Sequence, residues 1–95
     1  MDTKVEFSAA REARFQDLEE KYAALREKAK KAPDELKIGF DEQVYELEQK
    51  RDAALAKMDQ IRRSRGQAWQ DLRDDLDQAL LDLSTALDVA ATRFE

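Results

Sequence analysis

Four aspartates, Asp71, Asp74, Asp75 and Asp77, lie close enough along the chain to gather a divalent cation, and paired carboxylates also supply the acid and base of glycoside hydrolysis. They lack the loop pattern and central glycine of a calcium loop, however, and read better as one solvated helix face. A di-iron bundle would need Glu-x-x-His pairs, and the chain contains no histidine and no cysteine. Those two absences remove imidazole bases, thiol nucleophiles, disulfides and the commonest transition-metal ligands. Ser8, Ser64 and Ser84 have no neighbouring base to activate a hydroxyl. The residue types therefore predict no catalytic residue, no cofactor and no metal site, and the chain is read as a protein that is not an enzyme.

Two basic clusters, Lys28, Lys30 and Lys31 and then Arg62, Arg63 and Arg65, could touch phosphate or an anionic lipid. Each falls where a helix is expected to end, and a cation in a last turn is favoured by the helix dipole without any ligand. Net charge is −5, and its distribution is uneven. Residues 1 to 66 hold acids and bases in equal number, whereas residues 67 to 95 set seven acids against Arg73 and Arg93. The balance argues against nucleic acid, which is bound through a net basic face that releases counterions. It also disfavours membrane-surface binding, because the last helix carries an anionic polar face where such binding wants a basic one.

The elements that position these residues are helical. Ninety-five residues make a single domain, 1 to 95, too short for a large globular core. Charged residues are 41% of the chain, with two glycines and one proline, and the remainder is dominated by strong helix formers. From Phe15 the apolar positions run through Leu18, Tyr22, Leu25, Ala29 and Ala32 in alternating steps of three and four, a coiled-coil seam. A second series contains Leu36, Phe40, Val44, Leu47, Arg51, Ala54, Met58 and Ile61. The third contains Trp69, Leu72, Leu76, Leu80, Leu83, Leu87, Ala90 and Phe94, and its opening steps of three, four and four recur from Leu80 through Leu83 and Leu87 to Ala91, which reads as two eleven-residue units. Helical segments are expected at about 3–32, 34–63 and 67–94.

Gly66, preceded by arginines, suits the end of a helix and a reversal of the chain. A hairpin there pairs residues whose numbers add to 130: Ile61 with Trp69, Met58 with Leu72, Ala54 with Leu76, Leu47 with Leu83, Phe40 with Ala90 and Leu36 with Phe94. Arg51 falls in the seam and is expected to lie over Ala79 and reach Asp77 or solvent. Trp69 is a candidate interface anchor, although its seam position opposite Ile61 favours packing. The fold class is all-α, an antiparallel coiled-coil hairpin with an additional N-terminal helical segment. That segment either folds back to make a three-helix bundle or continues α-helically through a kink at Pro33, giving a rod of roughly 90 Å whose first half needs a second chain. The kinked, dimerising form is the expectation. Ile38, Tyr45, Leu81 and Val89 lie off the seam and predict an apolar surface that segment one or a partner must cover.

The stretches Tyr45, Lys50-Arg51-Asp52-Ala53, Gly66-Gln67-Ala68-Trp69-Gln70-Asp71-Leu72, Ala79-Leu80 and Ala90-Ala91-Thr92-Arg93-Phe94 resemble small bacterial coiled-coil proteins known as stress-response or uncharacterised proteins. The resemblance covers about residues 28 to 95, and Pro33 departs from the uninterrupted helix of that family. It implies a bacterial cytoplasmic protein without catalytic residues, linked to stress. No apolar run approaches the ~20 residues of a membrane span, and Met1 to Ala10 carries charges where a signal peptide needs an apolar stretch. The expected function is a non-catalytic interaction or structural protein that self-associates, most simply as a dimer. The alternative is an amphipathic stress protectant that coats membranes or client proteins.

Overall fold

The computed structural model describes residues 3–94 and forms them into three helices, α1 (Lys4–Lys30), α2 (Asp34–Arg63) and α3 (Ala68–Arg93), with no strand among the described residues. Thr3 starts α1 by holding an extended backbone and accepting a hydrogen bond from the Glu6 amide at 3.1 Å. A cap of this kind stabilises a helix by about 1 kcal/mol. The far end tightens as the Lys31 and Ala32 amides reach back to the Lys28 and Ala29 carbonyls at 3.2 and 3.3 Å. Pro33 then sits extended, at φ −59° and ψ 151°, and its carbonyl accepts the first bond of α2 from the Leu36 amide at 2.9 Å.

The chain reverses at Pro33 and does not continue as a kinked rod. Proline lacks the N–H that would bond to the Ala29 carbonyl, and its ring disfavours helical geometry at Ala32. Folding back also buries Phe7, Phe15, Leu18, Tyr22, Leu25 and Ala29 within one chain. The principal dimensions are 52 × 17 × 16 Å, those of a three-helix bundle and far short of the rod.

At the other end, Ser64 closes α2 by donating both its amide and its hydroxyl to the Ile61 carbonyl, at 3.1 and 2.6 Å. Gly66 is left-handed, at φ 59°, as expected of glycine. Its place differs from the expectation: it lies two residues beyond the cap, in the turn that leads into α3, because Ser64 ends α2 first. The chain thus runs up, down and up. Glu12 meets Arg62 and Glu19 meets Arg51, which makes α1 antiparallel to α2, while Phe7 meets Trp69 and Arg11 meets Asp77, which makes α1 parallel to α3.

One core runs the length of the bundle. Phe15, Leu18, Tyr22, Leu25, Leu47, Met58, Ile61, Trp69, Leu76, Leu80, Leu83, Leu87 and Phe94 are buried in it, and Phe40, Val44 and Leu72 pack against it half-buried. Phe7, 1% exposed, belongs to the same core although the apolar series begins only at Phe15. Leu36 is 49% exposed. Phe94 follows the last residue of α3 and stacks on Phe40, with ring centroids 4.2 Å apart and planes 25° from parallel.

Candidate interaction surface

The residues that could have carried chemistry are occupied or dispersed. Asp77 accepts both donors of Arg11, at 2.7 and 3.2 Å, and Asp75 stands 3.7 Å from Lys57. Among the described residues no three carboxylates converge to hold a metal ion. Ser64 spends its hydroxyl on the helix cap. Arg62 bonds to Glu12 at 2.8 Å and Asp59 at 3.2 Å, and Lys4 reaches across from α1 to donate to the Arg62 and Ser64 carbonyls at the end of α2. Lys4 thereby satisfies carbonyl acceptors that the end of the helix leaves open. Lys30 pairs with Glu27 within the last turns of α1. Trp69 is 4% exposed, with its ring 5.4 Å from that of Phe7, and is a packing residue.

Two arginines occupy seam positions, one in each of the first two helices. Arg11 stands between Phe7 and Phe15, lies 4.3 Å above the Phe7 ring and binds Asp77 across to α3. This polar insertion interrupts the apolar spacing between Phe7 and Phe15. Arg51 does not reach over Ala79 to Asp77. It turns toward α1, 5.1 Å above the Tyr22 ring, 3.5 Å from Glu19, and donates to Asp52 at 2.8 Å. The hydrogen bond to Asp52 raises the guanidinium above its ordinary value, against the pull of partial burial and with help from Glu19. Both arginines cover a ring with their planes and keep a charged edge on a carboxylate, which lets a cation sit beside an apolar core.

With α1 filling one side of the hairpin, the other side stays bare. Ile38 is 76% exposed, Tyr45 63%, Leu81 51% and Val89 46%. Segment one does not cover them, because its apolar stripe is spent on the core side of α2 and α3. A shallow groove runs between α2 and α3 on this bare side, lined by Glu46 and Lys50 from one helix and Leu81, Asp82, Val89 and Arg93 from the other. Ile38 and Tyr45 lie next to it on the outer surface of α2, with Asp41, Glu42 and Glu46 around them. The off-seam positions were visible in the sequence; that α1 would pack elsewhere was not.

No helix of the described residues is long and apolar enough to cross a membrane. No protein-family model, curated protein or solved structure matches this chain.

Proposed function

We propose that this chain is a non-catalytic helical interaction protein of the cytoplasm, and that it self-associates through the groove between α2 and α3. The observation that carries this reading is the apolar side left bare on a bundle whose core is otherwise closed. Exposed apolar surface of this kind, rimmed by polar residues, marks a contact site. The charges around the groove fit a second copy. Glu46 and Asp82 are balanced by Lys50 and Arg93, and none of the four is in an ion pair within the described chain. A two-fold axis crossing α2 between Glu46 and Lys50 brings each of these residues to the other's counterpart in the second copy, the self-complementary arrangement of a symmetric dimer. The stripe from Leu81 to Arg93 is roughly 18 Å long at 1.5 Å per residue, which suits a small and reversible contact.

Light scattering across a concentration series tests the reading. The expected result is a mass that rises toward the dimer, and Leu81→Glu with Val89→Glu holds the chain at monomer mass while its helical spectrum persists. Monomer mass for the unaltered chain at every concentration would defeat self-association. A second reading, an amphipathic protectant for membranes or client proteins, draws on the eleven-residue spacing of α3. In the folded chain Leu76, Leu80, Leu83 and Leu87 are buried, so that reading requires the bundle to open. Vesicle co-sedimentation with loss of the Trp69 burial signal would support it. The link to stress that the resemblance implies is read through expression of the native gene under stress conditions.

A further inference from the structure

The outer surface of α2 differs in charge from the groove beside it. Between Asp34 and Glu48 lie six acids, Asp34, Glu35, Asp41, Glu42, Glu46 and Glu48, against the single base Lys37. None of the six forms an ion pair among the described residues. In the second half of the same helix the acids are compensated: Asp52 pairs with Arg51 and Asp59 with Arg62, and the bases Lys50, Lys57 and Arg63 stand there as well. Uncompensated acidity is therefore concentrated on the stretch that also presents Ile38 and Tyr45 to solvent. These two side chains are seven residues apart and share one helix face, about 10.5 Å from each other along the axis. Asp41 and Glu42 stand between them.

We propose that this stripe is the docking site for a basic amphipathic helical segment of another protein. Two apolar anchors two turns apart match the spacing by which a partner helix presents its own apolar face, and the acids between and beside them match lysines or arginines flanking that face. Charge selects this occupant over the others. A second copy laid stripe to stripe would set acid against acid, and nucleic acid and anionic lipid are repelled for the same reason. The proposal rests on the reading of the chain as an interaction protein but not on its self-association, which uses the groove and its balanced charges.

The test uses the full chain and a fluorescent synthetic helix with leucine on one face and lysine on the other, followed by anisotropy at low salt. Saturable binding is expected, none with the same helix carrying glutamate in place of lysine, and weakening with added salt. Ile38→Ser with Tyr45→Ser, which keeps the charge, and Asp41→Asn with Glu42→Gln, which keeps the anchors, should each weaken binding by roughly tenfold. Asp71→Asn with Asp74→Asn, equally acidic but on α3, should leave it unchanged. The proposal is overturned if the glutamate helix binds as well, if the α3 pair matters as much as the α2 pairs, or if neither α2 pair alters binding. It is overturned too if Ile38→Ser with Tyr45→Ser abolishes dimerisation in light scattering, since the occupant would then be a second copy. Loss of the dimer with Leu81→Glu and Val89→Glu, with peptide binding retained, separates the two readings.

Discussion

The guanidinium of Arg11 holds both carboxylate oxygens of Asp77, at 2.7 and 3.2 Å, and in doing so ties α1 to α3 across the shoulder of the core. Its side chain is 29% exposed and that of Asp77 is 39%, so solvent screens the pair. Asp77→Asn is expected to destabilise the bundle by about 0.5 to 1 kcal/mol, the upper range for an exposed pair because the geometry is two-pronged. Arg11→Met, which keeps an apolar stem on Phe7, should be close to neutral, since well-packed apolar residues often replace an ion pair without loss. Urea melts of the two variants and their combination measure the coupling.

Core and surface substitutions should separate sharply. Leu83 is 0% exposed and Leu76 1%, so Leu83→Ala or Leu76→Ala should each cost on the order of 2 to 5 kcal/mol. Asp75→Ala, at a pair 3.7 Å long on the exposed face, should change stability by less than about 0.5 kcal/mol. Equal effects would mean that the buried seam is misassigned.

Phe7 reports on α1 alone. Phe7→Ala is expected to cost about 3 to 5 kcal/mol if α1 packs on the hairpin, because it removes a buried ring that touches Trp69. It should also shift the tryptophan emission to the red. A variant as stable as the parent would show α1 detached.

The two glycines should respond in opposite directions. Gly39 lies inside α2 with nothing within 4 Å of an added Cβ, so Gly39→Ala should raise stability by about 0.5 to 1 kcal/mol. Gly66 is left-handed at φ 59°, and Gly66→Ala should lower stability by about 1 to 2 kcal/mol. Thermal melts of both variants check the pair.

Stability should be flat across neutral pH. The chain has no histidine and no cysteine, the side chains whose ordinary pKa lies between about 6 and 9. The pKa of Arg51 is raised by Asp52, so its contribution is fully present below the ordinary arginine value and is lost only as pH climbs past it. Melting temperatures at about pH 6, 7.5 and 9 should therefore agree, and a sharp midpoint in that window would point to a titrating group that the described packing does not contain.

Periodicity made the three helices and the α2–α3 seam legible, because a spacing of three and four encodes which face is buried. It could not decide the path at Pro33. Ala29, Ala32, Leu36 and Phe40 keep the same stripe whether the chain turns or runs on, and the decision lies in long-range burial of Phe7, Phe15 and Tyr22. Phe7 itself was hidden by Arg11, which fills a seam position with a charged residue whose partner, Asp77, is 66 residues away. The stack of Phe94 on Phe40 was not legible, because Phe94 lies past the last residue of α3 and its ring is placed by the end of the bundle rather than by the helical spacing. The bare side was legible as off-seam Ile38, Tyr45, Leu81 and Val89, but which side of the hairpin α1 would take depended on the fold as a whole.

The measurement that bears most directly on the bundle is the distance between α1 and α3, read by spin labels on Ser8→Cys and Gln70→Cys, diluted with unlabelled protein. Neighbouring helices 8 to 10 Å apart, with the label arms added, predict a separation of about 20 Å. A population near 80 Å, the spacing that a rod continuing through Pro33 would give at 1.5 Å per residue, would contradict the account.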